Sequence, residues 1–514
     1  MVARTQTYPE LIFGLVGAVG IDFDPVIKAL RKSLEDIGYN QTEVVRLSKL
    51  LEAYDVWDGV PPAASVAEDE RISRYMTAGN TLRTKAGRGD ALIGPVVEEI
   101  WRIRSKGKEI EARSPEGIDN CAYILRSLKH PAEVQRLQTL YGSGFILIGV
   151  SLPEERLADI LEQKITSSSK QPPKNARPRA IGLIKRDSYE PETEFGQNVR
   201  DTFAMADLFV ESNDEDHLAI SIQRFIELMF SHPNHTPTRD EAGMYQAYSA
   251  ALLSSSLSRQ VGACITTGDG QIVAFGTNEV PKPGGGFYWE GTPAAEDDRD
   301  FRRGIDSNQA IQNEILGELM AKMKELGWLD TDVPPDIYEI RKKLKGIRLL
   351  DVTEFHRAVH GEAAALLAAA RQGHSVQDCT LYCTTFPCHN CAGLIIAAGI
   401  KRVVYVEPYP KSKARDFYNK AFSSDPKSEG TVHITPFVGV GPRRYRDLFS
   451  MLTSEGKKIE RMNSRGEAIH PDKRNKSMKW GTLYTSQFDN EAGFLQNLSR
   501  TINGLLLESK EEGK

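Results

Sequence analysis

The apolar runs in this chain are short, and run after run is followed by a polar turn and then by apolar residues at helical spacing. A layered α/β fold is the arrangement that buries such a pattern. Residues 11 to 20, Leu-Ile-Phe-Gly-Leu-Val-Gly-Ala-Val-Gly, read as a buried strand entering a glycine-rich turn. Val26, Ile27, Leu30 and Leu34 then mark a helix between Pro25 and Gly38. Helices follow near Ala91 to Ser105 and Pro131 to Leu140, with strands at Phe145 to Ser151 and Ile181 to Ile184, and an amphipathic helix is expected from Val199 to Val210. This first part predicts an open parallel sheet. The stretch Ile165 to Pro178 reads as a loop, and the domain boundary is placed at Ser231 to Thr238.

A second α/β domain starts where Thr238, with Glu241 three positions on, forms a capping-box pattern ahead of Met244 to Leu257. Val261 to Thr266 and Ile272 to Gly276 flank Gly268-Asp269-Gly270 as a hairpin. Helix at Gly361 to Gln372, strand at Thr380 to Thr384, helix at Cys388 to Ala398, strand at Val403 to Glu407 and helix at Lys411 to Ala421 complete a three-layer α/β/α sandwich. The alternation is interrupted at 281–349, which reads as an insertion with helices at Asn308 to Leu326 and Pro335 to Leu344. The expected division is 1–235, then 236–504, then a flexible tail at 505–514.

Net charge is −5, so the whole molecule lacks the basic field of a non-specific nucleic-acid binder. Six cysteines are too few for a disulfide framework in a chain of 514 residues, and Cys379, Cys383, Cys388 and Cys391 lie close together, which points to metal rather than crosslinks. With no signal-peptide pattern and no apolar run of membrane-spanning length, the expectation is a cytoplasmic protein without a membrane partner.

The chemistry concentrates at His360-Gly361-Glu362 and Pro387-Cys388-His389-Asn390-Cys391. Cys388 and Cys391, three apart at a helix N-terminus, face one side where the helix dipole favours thiolates. His360, just ahead of another helix, supplies a third ligand, and the fourth tetrahedral position is left to water, as in a catalytic zinc site. Glu362 is near enough to move the water's protons without being needed as a ligand. His389 and His356 compete as ligands but are read as supporting or structural. Cys379 and Cys383 are read as core cysteines.

H-x-E followed by P-C-x-x-C is the signature of zinc nucleobase deaminases. From about Met244 to Val440 the chain resembles the deoxycytidylate deaminase branch of the cytidine deaminase superfamily. The resemblance is carried further by Arg259-Gln260-Val261-Gly262-Ala263, Gly276-Thr277-Asn278-Glu279, Thr380-Leu381-Tyr382 and Ala398-Gly399-Ile400. It implies Zn2+ as cofactor, Glu362 as proton carrier, Asn278 as the reader of a deoxyribose, and Arg259 or a nearby group at phosphate. Glu279 either orients that sugar contact or caps a turn, and Phe386 is the best candidate for a pocket wall. Tyr409, Phe287, Tyr288 and Trp289 are further aromatic candidates.

In the first domain, Gly14, Gly17 and Gly20 lie where a strand meets a helix and are placed to cradle phosphate with backbone N–H groups. Gly20-Ile21-Asp22 nevertheless lacks the lysine and hydroxyl of a Walker A motif. Lys85, Arg88 and Arg186 are the basic candidates to compensate. The whole arrangement, a P-loop, nucleotide-kinase-like parallel sheet domain followed by a cytidine-deaminase-like domain, is similar to bacterial anti-phage deoxycytidine nucleotide deaminases. Tyr123 to Pro131, Gly196 to Phe203 and Phe437 to Tyr445 carry that similarity. It implies conversion of dCTP and dCMP to dUTP and dUMP in antiviral defence, a homo-oligomer, and an inhibitory small RNA or nucleotide effector at the first domain. Two other readings were weighed: a polynucleotide cytidine deaminase acting on single-stranded DNA or RNA, with Arg443-Arg444-Tyr445-Arg446 as its nearest basic candidate, and a non-catalytic nucleotide or RNA sensor.

Overall fold

The computed structural model describes residues 8–57, 66–106, 117–169, 173–329, 336–344, 347–352, 354–409, 412–425, 428–469, 478–480 and 484–502. The expected tail at 505–514 and parts of the 281–349 insertion lie outside them. The chain forms two compact units, one of residues up to Thr236 together with Val438 onward, the other Pro237–Phe437. Each is a mixed α/β unit built on a six-stranded, mainly parallel sheet.

In the first unit, β1 (Leu11–Gly17) is buried along its whole length. It lies between β3 (Cys121–Arg126) and β4 (Phe145–Ser151), parallel to both. β2 (Gln41–Arg46) extends the sheet beyond β3, and β5 (Leu208–Glu211) extends it beyond β4. A central parallel strand covered on both faces must be apolar on alternate residues of both parities, which is why Leu11 to Gly17 carries no polar side chain. Helix α1 (Asp24–Ile37) turns Val26, Ile27, Leu30 and Leu34 inward as its spacing predicts. Helix α2 (Glu215–Met229) begins at an Asp214 cap.

Three expectations are corrected here. Ile181 to Ile184 is not a strand but the middle of a helix, Ala176–Ser188, whose buried residues Ala176, Ala180, Leu183, Ile184 and Asp187 recur with helical period. A four-residue apolar run alone does not separate the two. The segment from Val199 to Val210 is a short helix, Val199–Phe203, followed by β5. Asp207 starts that strand by accepting the Leu147 N–H at 2.8 Å, and Leu208, Phe209 and Val210 are then buried beside β4. Residues beyond Phe437, expected to continue the second domain, return to the first unit. There Gly439–Val440 pairs antiparallel with β5, and Arg444 meets Asp207 at 2.8 Å. The helix Tyr484–Ile502 brings Glu491 to Arg104 at 2.6 Å, both side chains fully buried with Glu10 on the guanidinium's other side at 2.7 Å. A desolvated guanidinium needs both carboxylates, and the second one comes from this late helix.

The second unit opens with helix α3 (Arg239–Ala251), capped reciprocally by Thr238 and Glu241 as expected. Its sheet runs β10 (Phe422–Ser423), β11 (Val432–Pro436), β9 (Arg402–Glu407), β8 (Thr380–Thr385), β6 (Gly262–Thr266) and β7 (Ile272–Thr277) in spatial order. The hairpin β6–β7 and the β6–β8 pair are antiparallel and the rest parallel. Gly262 faces α3, where a methyl group would overlap the backbone of Ala247 and Ala251. Its neighbour Ala263 pairs with Gly276 on the opposite face, against helix α4 (Gly361–Gln372). There a methyl on Gly276 would overlap Ala365 N and Gly361 O. Helices on both faces give the three layers that the alternation implies. The helix expected at Lys411 to Ala421 is only Ala414–Phe417, because the chain turns at Tyr418 to place β10 beside β11.

The long excursion between β7 and α4 leaves and rejoins the sheet at one place, where Val359 N–H donates to Glu279 O at 3.0 Å. It contains the helices Ser307–Glu325 and Ile337–Lys343. Arg357 near its end pairs with Asp298 and Asp300 in its first part, where Asp297 also pairs with Arg299. Among the described residues no helix is long and apolar enough to cross a membrane.

Two substitutions test this packing. Glu491→Ala, leaving Arg104 with one carboxylate, is expected to destabilise the first unit by about 3–5 kcal/mol in denaturant unfolding; a loss below roughly 1 kcal/mol would show that the late helix is not integral to it. Gly276→Ala is expected to lower the stability of the second unit by about 1–3 kcal/mol, since α4 must lift from β7 to admit the methyl.

Candidate metal centre and active site

The Gly276 close approach sets the position of α4, and with it His360, the N-cap residue, in extended conformation just outside the first turn. Helix α5 (His389–Ala397) starts beyond β8, with Cys388 as its N-cap and its Sγ accepting the Cys391 N–H at 3.5 Å. The two helix starts converge. His360 Nδ1 lies 3.3 Å from Cys388 Sγ and 3.5 Å from Cys391 Sγ. Bonds of about 2.0–2.3 Å to a tetrahedral zinc ion put its nitrogen and sulfur ligands about 3.5 Å apart, so the donor set fits that ion in number, kind and spacing. Of the histidines weighed as competitors, neither joins this group. The His356 ring centre is 6.3 Å from that of His360, and His389 packs against Phe417 at 5.6 Å.

The electrostatics are those of a thiolate site. Cys388 is drawn down to about 4 by the hydrogen bond from Cys391 and by His360, while Cys391, bonded to that sulfur and buried, is pushed up. His360 is raised by its bond to Cys388. A metal ion takes both sulfurs as thiolates, and the lowered Cys388 is the one that yields its proton more readily.

Glu362 lies in the first turn of α4 and is only 4% exposed. Burial raises its carboxyl above the usual range, and its side-chain partner is Cys383, whose thiol donates to it. Cys383 is a core residue, as expected, and has this bond in addition. Its role depends on register: Cys383 on β8 is paired with Ala263 on β6, which in turn is paired with Gly276, so all three project from the face covered by α4. No spacing within the sequence reveals that alignment.

Asn278 and Glu279 follow β7 and are both buried. Asn278 Oδ1 accepts the Val261 N–H at 2.6 Å, and its Nδ2 donates to Arg259 O at 2.8 Å. Glu279 accepts the Ser255 N–H at 2.7 Å, the Ser255 hydroxyl at 2.6 Å and the Val280 N–H at 2.8 Å. The pair therefore shapes the 254–261 turn that carries Arg259. The Arg259 side chain is half exposed, lies over the Tyr409 ring at 5.1 Å and stands 3.7 Å from Glu407. Tyr409 packs against Ala363, Cys388 and Cys391, whereas Phe386 is buried in the sheet core, edge-on to Tyr405. Tyr409 thus places an aromatic ring at the metal cluster.

The glycines of the first unit have other duties. A methyl on Gly14 would come within 2.6 Å of Leu128, and one on Gly17 within 2.8 Å of Val150 O; Gly20 turns the chain at φ +98°. The loop's Val19 N–H donates to the buried Asp187 carboxylate at 2.7 Å, which also receives Lys129 at 2.9 Å. A loop amide that could serve phosphate is thus already paired with a carboxylate. Arg126 lies against Asp24 at 2.6 Å at the start of α1. Lys85, Arg88 and Arg186 are engaged with Asp55 O, Asp90 and Glu190 respectively.

Comparison with known proteins bears on the second unit. Residues 237–407 match the family model described as the cytidine and deoxycytidylate deaminase zinc-binding region. A deoxycytidylate deaminase of Enterobacteria phage T2 is 47% identical over 55 residues, 11% of this chain and 29% of that protein. The human deoxycytidylate deaminase is 25% identical over 163 residues, 32% of this chain and 61% of that protein. The chain thus spans under a third of the phage relative's length. A solved dCMP deaminase of the cyanophage S-TIM5 is 19% identical, with 40% of this chain and 100% of that one covered at a TM-score of 0.21. The second unit of this chain is therefore similar, over residues 237–407, to the zinc-binding region of cytidine and deoxycytidylate deaminases.

Proposed function

We propose that the chain is a zinc-dependent deaminase that converts deoxycytidine nucleotides, dCTP or dCMP, to the corresponding uracil nucleotides. The observation that carries this reading is the buried Glu362 carboxyl in the first turn of the helix that His360 caps, with His360 Nδ1 at 3.3 and 3.5 Å from two cysteine sulfurs. His360, Cys388 and Cys391 would hold the ion, and zinc, when bound, makes water acidic enough to attack near neutral pH. The attacking oxygen bonds to C4 of the base. Glu362 takes a proton from the water and delivers it to ring N3; it then moves a second proton to the exocyclic nitrogen. The C4–N bond breaks with its electron pair on nitrogen, and ammonia leaves. Water is consumed and no oxidant is needed. Burial, by raising the Glu362 carboxyl, suits a group that must both accept and return a proton.

Arg259 offers a half-exposed cation beside the cluster, held over Tyr409 and within reach of a phosphate. Asn278 and Glu279 fix the backbone from which it projects. Depletion of a nucleotide pool in antiviral defence, and control by an effector at the first unit, belong to this same reading through the family resemblance. The polynucleotide reading leaned on Arg443 to Arg446, but Arg444 is engaged by Asp207 and by Phe145 O at 3.2 Å.

Incubation of the purified protein with dCTP, dCMP, CTP and a cytosine-containing oligonucleotide tests the proposal. Free deoxynucleotides are expected to be turned over, and Glu362→Ala to lower the rate at least about 10²-fold while zinc content is kept; turnover of the oligonucleotide alone, or full activity in the variant, would refute it. Arg259→Ala is expected to raise KM for the nucleotide about tenfold or more, as loss of a charge-assisted contact does, with a smaller change in kcat. Equal effects on a nucleotide and its phosphate-free nucleoside would remove Arg259 from phosphate binding.

A further inference from the structure

A second convergence of metal-binding side chains lies in the first unit, far along the chain from the deaminase motifs. Helix α2 ends at Met229, and Ser231 takes a left-handed conformation at φ +59°. The reversal is closed by His232 N–H donating to Glu227 O at 2.9 Å, a helix-terminating bond that swings the following chain back over the last turn. His232 and His235 are thereby brought to Glu227. His235 Nε2 lies 2.6 Å from Glu227 Oε2, the two imidazole centres are 4.2 Å apart with planes 30° from parallel, and one donor atom from each of the three residues lies within 4.8 Å of the others.

The supporting bonds fix this arrangement from outside. Gln223 Nε2 donates to the other Glu227 oxygen at 3.0 Å. Asn234 N–H donates to His232 Nδ1 at 3.3 Å, so this ring would bind metal either through Nδ1 in place of that bond or through Nε2 with its proton moved to Nδ1. Arg461 grips Pro233 O and Arg224 grips Thr236 O, each at 2.7 Å, so the backbone carrying both histidines is held on either side. A carboxylate oriented by its own hydrogen bond and a loop clamped on both sides of its histidines limit the rearrangement that a metal ion requires. A carboxylate–histidine ion pair explains one of the two imidazoles. The second imidazole brings its own ligand atom within 4.8 Å of both.

We propose that Glu227, His232 and His235 form a second divalent-metal site, with zinc as the ion that its two imidazoles and one carboxylate suit. Two imidazoles and a carboxylate form a common zinc donor set, and its fourth position falls to water. The three ligands are only partly buried, so an ion can reach them from solution. Binding exchanges the Glu227–His235 hydrogen bond for a metal bond to each of the two residues. The ion would pin the segment that follows α2 to that helix.

Zinc titration of the full-length protein, with bound metal measured by mass spectrometry, separates the sites. The expected content is about two ions per chain in the wild type and about one in either His232→Ala/His235→Ala or Cys388→Ser/Cys391→Ser. Cobalt in the cysteine variant is expected to give d–d bands without thiolate charge transfer, and Glu227→Gln in that background to weaken binding at least about tenfold. The glutamine variant keeps the shape of the side chain and so covers failure of the double histidine variant to fold. Wild-type metal content unchanged by removing both histidines, or a cysteine variant that takes up no zinc or cobalt, overturns the proposal.

Discussion

The metal cluster of the second unit depends on how near α4 can come to β7. At Gly276 the helix backbone occupies the space a Cβ would need, so the helix start is set by backbone-to-backbone contact rather than by adjustable side chains. His360 and Glu362 inherit that fixed position from the first residues of the helix. Cys388 and Cys391 inherit theirs from the end of β8. Two independent element ends therefore meet within hydrogen-bond distance, and the chemistry proposed for the site is possible only because neither end has freedom to drift.

Much of this was legible in the residues. The Thr238–Glu241 cap, the β6–β7 hairpin, the helix after His360 and the ligand trio all follow from local chemistry with short reach along the chain. What escaped was whatever depended on long-range pairing. Ile181 to Ile184 looks like a strand until the buried Ala176, Ala180 and Asp187 complete a helical face. Cys383 is core packing as its type implies, but its bond to Glu362 depends on strand register. The Glu227, His232 and His235 group was missed because its members come together only through the reversal at Ser231, a left-handed residue that is not glycine and carries no sequence signal.

The residues around the site divide the labour in a way that their types alone do not disclose. Asn278 and Glu279 spend their hydrogen bonds on the 254–261 turn, leaving Arg259 as the charged group that projects from it. Phe386 supports the sheet from within, and Tyr409 takes the place beside the cysteines. In the first unit, Gly14 and Gly17 pack closely on Leu128 and Val150, and the Val19 amide of the same loop is bonded to Asp187.

The return of the chain to the first sheet at Gly439–Val440 makes the second unit an excursion from the first, tethered to it by two covalent crossings rather than one. The region of deaminase similarity lies wholly inside that excursion. Such a topology has a mechanical meaning. Scission at the crossing near Thr236 would not free the deaminase-like unit, because its other end runs into a strand paired with β5 and a helix whose Glu491 is buried against Arg104. The two pieces would remain one particle, joined through the core of the first unit.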